Sequence, residues 1–121
     1  MRRVVVAVVV AIAVAAGCGG DSVDTPAERI AAGERLYQGD GTCATCHGRD
    51  LRGTVMGPPL LHEVYEPSHH PDEAFHNAVR NGVQPHHWDF GPMPPLTHLS
   101  EDEVDWIIAY VRQQQQRAGI R

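Results

Sequence analysis

The chain has 121 residues, enough for one small domain, and 42% of them are hydrophobic. It carries 15 acidic and 10 basic residues, a net charge of −5 at pH 7 with histidine neutral, and every basic residue is an arginine. Domains that bind nucleic acid are usually basic, so this balance argues against a nucleic-acid partner.

The first residues have the layout of an export signal. Arg2 and Arg3 precede an apolar run over residues 4–16, which is shorter than the roughly 20 residues that span a bilayer as a helix. The ending Ala15-Ala16-Gly17-Cys18 resembles the lipobox of bacterial lipoproteins, whose cysteine is acylated and becomes the first mature residue. We therefore expect residues 1–17 to be a lipoprotein signal peptide and Cys18 to be lipidated. The alternative is an ordinary signal peptide cut nearby, with Cys18 incidental.

Such an anchor predicts a protein on the outer face of the cytoplasmic membrane or in the periplasm. The small and polar residues 18–24 read as a flexible tether between the lipid and a domain over residues 25–117. Loss of the leader with Arg2 and Arg3 leaves 8 basic against 15 acidic residues, a net charge of −7. A docking partner should therefore offer positive charge.

The first predicted helix begins after Thr25. Thr25, Pro26 and Glu28 form a capping box with proline at the first helical position, and Ile30, Gly33 and Tyr37 recur along one face. This helix leads into the stretch GTCATCHG at residues 41–48.

Two further helices are predicted beyond it. Residues 48–70 have no sustained periodicity and predict a folded loop, after which a short helix begins at residues 71–73 and stops at Asn81-Gly82. Ser100 and Glu103 make a second capping box ahead of an apolar stripe at Val104, Ile107, Ile108 and Val111. The glutamine run over residues 113–116 should continue this helix and fray, and residues 118–121 should be a disordered tail. No strand pattern appears, so the fold class is all-α.

Cys43, Cys46 and His47 form a CxxCH sequence that could hold haem, zinc or a redox disulfide. A thioredoxin-like site needs a preceding strand, which the pattern lacks. Zinc would take two thiolates and two imidazoles, but no pair of histidines stands out at the usual zinc-finger spacing. The adjacent pairs His69-His70 and His86-His87 would point their rings in different directions in regular structure. Haem fits better, because two thiols can bond its vinyl groups while the next imidazole reaches the iron.

Haem iron also needs a sixth ligand or an open face. Met93 lies between prolines that stiffen its backbone, whereas Met56 follows His47 so closely that its loop would have to round the haem edge at once. We therefore prefer Met93. The other candidates are the seven remaining histidines, each more typical of a surface or hydrogen-bonding residue: His62, His69, His70, His76, His86, His87 and His98.

From residue 25 to residue 116 the order of these features resembles a class I monohaem cytochrome c. Gly33 and Tyr37 resemble the glycine and aromatic with which that family's first helix crosses its last, with Trp106 and Tyr110 opposite. Asp40-Gly41 looks like an insertion relative to the family. The resemblance implies three to four helices around one covalent haem c, with the N- and C-terminal helices crossing.

The same resemblance assigns roles to single residues. Cys43 and Cys46 are the thioether anchors, and His47 and Met93 the axial ligands. In Gly57-Pro58-Pro59-Leu60, the Pro58 carbonyl accepts a hydrogen bond from the ligating histidine and Leu60 packs on the haem. Trp88 could donate its indole N–H to a haem propionate, or simply pack against the haem edge.

The expected function is one-electron transfer, without bond chemistry, to or from a respiratory complex, oxidase or reductase. The alternative is a haem enzyme or gas sensor, such as a small peroxidase, which would need a distal ligand that is easily displaced. The methionine at position 93 argues against that alternative.

Overall fold

The structure is a computed structural model that describes Val23, residues 25–39, Gly41 and residues 43–121. The predicted signal peptide, Cys18, nearly all of the predicted tether and Asp40 lie outside these described residues. Among the described residues, no helix has the length and apolar character needed to cross a membrane.

Four α-helices and one 3₁₀ turn make up the regular structure of the described residues, in this order: α1 (Pro26–Gln38), α2 (Cys43–His47), the 3₁₀ turn (Glu63–Tyr65), α3 (Asp72–Asn81) and α4 (Glu101–Arg117). No strand forms in this part of the chain, where an isolated antiparallel bridge joins Val83 and Met93. The predicted all-α class is confirmed.

Both predicted capping boxes form. The Thr25 hydroxyl accepts a hydrogen bond from the Glu28 backbone N–H at 3.2 Å, and Ser100 accepts from Glu103 at 3.3 Å. In each box the glutamate reaches back to the N-cap backbone N–H, which satisfies a second orphan donor. These contacts fix where α1 and α4 begin.

Helices α1 and α4 cross at Gly33. A Cβ atom at this position would lie only 1.8 Å from the Trp106 carbonyl oxygen, so the crossing depends on the missing side chain. Beside the crossing, the buried rings of Tyr37 and Tyr110 meet with centroids 5.5 Å apart. The helix crossing predicted from Gly33 is therefore present.

The core lies between this helix pair and the loop after α2. Its buried members are Tyr37, Leu51, Leu60, Ile107, Tyr110 and Val111. The predicted apolar stripe of α4 is buried along its whole length. Beyond Arg117, the predicted tail begins with a turn in which the Ile120 N–H donates to the Gln115 carbonyl at 2.9 Å.

Candidate functional site

A cleft of about 580 Å³ opens between α2, α3, α4 and the segment that carries Met93. Its volume falls within the range of about 300–1,000 Å³ that is usual for ligand and cofactor sites. The walls include apolar side chains from several elements, among them Leu60, Phe75, Val83, Ile107 and Val111. His47 and Met93 both line this one cleft although they are far apart in sequence.

His47 is the last residue of α2 and is held by the loop that follows. Its Nδ1 lies 2.8 Å from the Pro58 carbonyl oxygen, which can only accept, so Nδ1 carries the proton and Nε2 keeps its lone pair. Burial lowers the pKa of His47, with the Pro58 contact opposing it in part. The imidazole is therefore neutral at pH 7 and suited to bind a metal through Nε2.

The two cysteines lie on the single turn of α2, three positions apart, and therefore on the same side of the helix. Cys43 lines the cleft, and burial raises the pKa of its thiol to about 11. Cys46 packs against the next loop, where a Cβ at Gly57 would lie 3.1 Å from the Cys46 Cβ.

Three hydrogen bonds to backbone carbonyls hold the end of α2 and the residue after it. The buried Tyr37 hydroxyl donates to the Gly48 carbonyl at 2.8 Å, which ties the end of α2 to α1. The Gly53 N–H donates to the His47 carbonyl at 2.8 Å, and the Thr54 hydroxyl donates to the Cys46 carbonyl at 2.7 Å. The last carbonyls of this short helix are therefore satisfied by the loop that also carries Pro58.

Met93 is held in the lining of the cleft by its pairing with Val83. The two residues exchange backbone hydrogen bonds of 3.0 Å, and the Met93 side chain is half-buried. Met56 instead is 54% exposed and is not among the described residues that line the cleft. The structure therefore brings Met93, and not Met56, into the same cavity as His47.

Comparison with known protein families gives a match for the chain that contains this cleft. Residues 28–111 match the family model described as "Cytochrome C oxidase, cbb3-type, subunit III", a c-type cytochrome domain, over more than half of the chain. The chain belongs to this family of c-type cytochromes. No match was found among curated proteins or among solved structures.

Membership in the family means covalently bound haem c and electron transfer, not catalysis of bond chemistry. The residues present fit that cofactor: the cleft offers one imidazole nitrogen, one thioether sulfur, a thiol on a CxxCH turn and largely apolar walls. Leu60 is buried on one wall, where the resemblance places the leucine that packs on haem.

Trp88 lines the cytochrome's cleft as a half-buried ring. It stacks on Tyr65 with centroids 5.8 Å apart and meets His62 edge-on at 5.3 Å. These contacts hold the ring in the lining of the cleft. Both roles considered for Trp88, a hydrogen bond to a haem propionate and packing against the haem edge, stay predictions.

The two pairs of adjacent histidines converge, contrary to what their spacing indicated. The prediction assumed regular structure, but both pairs lie in irregular segments on either side of α3, where the backbone can direct neighbouring rings together. The Nε2 atoms of His69 and His87 are 3.4 Å apart, and the rings of His70 and His87 are 5.2 Å apart between centroids. His87 is exposed, but desolvation by the surrounding groups, together with the neighbouring His86, His70 and His69, lowers its pKa.

Two supporting residues on α4 have roles that the sequence pattern did not indicate. Gln115, expected to fray with its neighbours, is buried and donates to the Leu60 carbonyl at 2.9 Å. Arg112 donates to the carbonyls of Tyr65 and His70 and to Asp72, and its guanidinium lies 4.8 Å from the centroid of the Phe75 ring. Both residues follow an apolar residue of the α4 stripe by four positions, and this helical spacing could have indicated that they face the core.

Proposed function

We propose that this cytochrome is a membrane-tethered one-electron carrier whose haem c is attached through Cys43 and Cys46 and ligated by His47 and Met93. The observation that carries the proposal is the shared cleft, in which a neutral imidazole with its Nδ1 proton held by Pro58 O shares one cavity with a half-buried methionine. Haem c bound there supplies a single-electron couple at its iron.

The residues around the cleft determine how that couple behaves. The Pro58 contact keeps the His47 ring oriented, and neither the imidazole nor the thioether needs to gain or lose a proton when the charge of the site changes. Leu60, Ile107 and Val111 exclude water from the walls and disfavour the more highly charged oxidised state. A positive reduction potential with little structural rearrangement follows. Trp88 is proposed to donate its indole N–H to a propionate at the same cleft.

A potentiometric titration of the haem-loaded protein tests this function. The haem-loaded protein should show one reversible one-electron transition at positive potential. Its reduced form should not react with carbon monoxide, because His47 and Met93 would hold both remaining ligand positions of the iron. Rapid carbon monoxide binding would instead show an open or readily vacated distal position and would support the haem enzyme or gas sensor. Haem that acid–acetone extracts would contradict covalent attachment.

The membrane anchor is proposed from the leader and Cys18. Arg2 and Arg3, the apolar run over residues 4–16 and the Ala15-Ala16-Gly17-Cys18 ending support acylation after export. The Cys18→Ala variant should lose label from radioactive palmitate and leave the membrane fraction while keeping its full haem content. If the variant stays in the membrane fraction like the parent, the lipid anchor is wrong.

The proposed partner is a respiratory complex or oxidase with a basic docking face. The family description names an oxidase subunit, and the mature chain would carry a charge of −7. Opposite charges accelerate encounter between proteins, and salt screens them. Electron transfer to partner-containing membranes should therefore slow as salt is added, and a rate independent of salt would contradict an electrostatic dock.

A further inference from the structure

Four imidazoles from two separate segments meet in the lining of the cleft. This histidine cluster consists of His69 and His70, just before α3, and His86 and His87, in the segment after it. Ring centroids are 4.7 Å apart for His69 and His70, 4.3 Å apart for His86 and His87, and 5.2 Å apart for His69 and His87. The roles proposed for the haem site use none of these residues.

The nitrogen atoms of three members are spaced for a metal ion. One ring nitrogen from each of His69, His70 and His87 lies within 4.8 Å of the others. The His69 and His87 Nε2 atoms are 3.4 Å apart. Two imidazole nitrogens bound at about 2.0–2.1 Å to a tetrahedral ion lie about 3.3–3.4 Å apart, so this pair already has the required separation.

The protonation of His70 is fixed by its neighbours. Its Nδ1 lies 2.7 Å from the Val64 carbonyl oxygen and therefore carries the proton, which leaves the Nε2 lone pair for a ligand. A backbone carbonyl in this position is a common outer partner of metal-binding histidines. Arg112 in turn donates to the His70 carbonyl at 2.5 Å and fixes the backbone that carries the ring.

We propose that His69, His70 and His87 bind one divalent transition-metal ion of the zinc and copper class. The set is entirely imidazole, which suits these borderline ions and not magnesium or calcium, which prefer oxygen. Three ligands leave the fourth tetrahedral position for water. The ion joins the segments on either side of α3 and so steadies the stretch that leads to Met93.

A cluster held only by hydrogen bonds is the alternative. One neutral imidazole can donate to another, and the His69–His87 contact alone would satisfy that description. A hydrogen-bonded pair of His69 and His87 does not require His70, whose tautomer is set by the Val64 carbonyl. Metal binding accounts for the position of all three rings.

Zinc titration of the haem-loaded, full-length protein tests the proposal, with the protein purified without a polyhistidine tag. Isothermal titration calorimetry should give one zinc ion per chain. The His69→Gln and His87→Gln variants should bind at least tenfold more weakly, because loss of even an outer-shell partner costs a metal site about 10–100-fold in affinity. His98→Gln, which changes an exposed histidine outside the cluster, should bind zinc like the parent.

A second readout is the zinc X-ray absorption edge, which is separate from that of the haem iron. It should show three imidazole ligands in the parent and two in His87→Gln. Unchanged haem spectra in the variants would show that they are folded. Absence of zinc binding, or equal binding by every variant, would overturn the metal site.

The metal site and the proposed function fail in different ways. If zinc does not bind while the ferric spectrum retains its methionine-to-iron band, the metal site alone is wrong. If one of these histidines is instead an axial ligand of the haem, that band will be absent and zinc will not bind in the cluster. That result would overturn both.

Discussion

The two walls of the cleft are built differently. The histidine wall, α2 with the loop to Leu60, packs on α1 and α4, and Leu51 and Leu60 are 2% and 7% exposed. The methionine wall, residues 82–93, contains no fully buried residue, and Met93 is held by its exchange of hydrogen bonds with Val83. A ligand fixed by the core is lost only when the fold is lost, whereas one held by a loop can be displaced while the fold persists. Substitutions in the two walls should therefore have different consequences.

The helix crossing beneath the histidine wall should be the most sensitive position. In Gly33→Ala the new methyl group would meet the Trp106 carbonyl oxygen at 1.8 Å, which forces α1 and α4 apart. We expect a loss of about 3 kcal/mol in the free energy of unfolding, measured by urea denaturation of the haem-loaded protein. Gly91→Ala is the matched control, because a Cβ there meets nothing within 4 Å. Equal stability of the two variants would show that the helices do not cross as described.

Gln115 connects α4 to the histidine wall and should rank next. Gln115→Ala leaves the Leu60 carbonyl without its buried donor and removes an acceptor of Arg112, at a cost of about 1–3 kcal/mol. The neighbouring Gln116 is exposed, so Gln116→Ala should change stability by no more than about 0.5 kcal/mol in the same urea assay. If both glutamines prove equally dispensable, the link between α4 and Leu60 is absent.

Substitutions in the methionine wall should affect ligation of the haem iron by Met93 more than they affect the stability of the fold. Gly82 has a φ of +73°, and a Cβ there would lie 2.5 Å from the Met93 carbonyl oxygen, so Gly82→Ala should displace Met93. We expect a stability loss of roughly 1–2 kcal/mol from the strained backbone, with a weakened methionine-to-iron band in the ferric spectrum.

Gly119→Ala provides the control for the Gly82 substitution. Gly119 has a φ of +85°, but a Cβ there meets nothing within 4 Å, so its replacement carries the backbone strain without touching the cleft. The band should persist in this variant. A band that weakens equally in both variants would mean that the Gly82 effect is general and not local.

The features predicted correctly from the sequence are those that depend on residues close together along the chain. Both capping boxes and the apolar stripe of α4 follow from spacings of three or four positions, and short-range chemistry decides them. The helix crossing at Gly33 came from the family resemblance, because a single glycine does not name its partner. The contact between His47 and Pro58 was expected on the same basis.

The features that sequence missed depend on how distant segments meet. Gln115 belongs to a run of four glutamines, and only the rotation of α4 against the Leu60 loop decides which of them is buried. The convergence of His69 and His87 depends on irregular backbone on both sides of α3, for which no periodic pattern exists. The positions of the adjacent histidines in the sequence therefore did not predict that the two pairs form one cluster.

The ferric absorption spectrum of two methionine variants would show whether Met93 completes the haem site with His47. Met93→Ala should abolish the methionine-to-iron band, because the half-buried thioether that lines the cleft is gone. Met56→Ala should leave the band unchanged, since that side chain is 54% exposed outside the cleft. A band that survives Met93→Ala, or disappears with Met56→Ala, would show that Met93 is not the ligand.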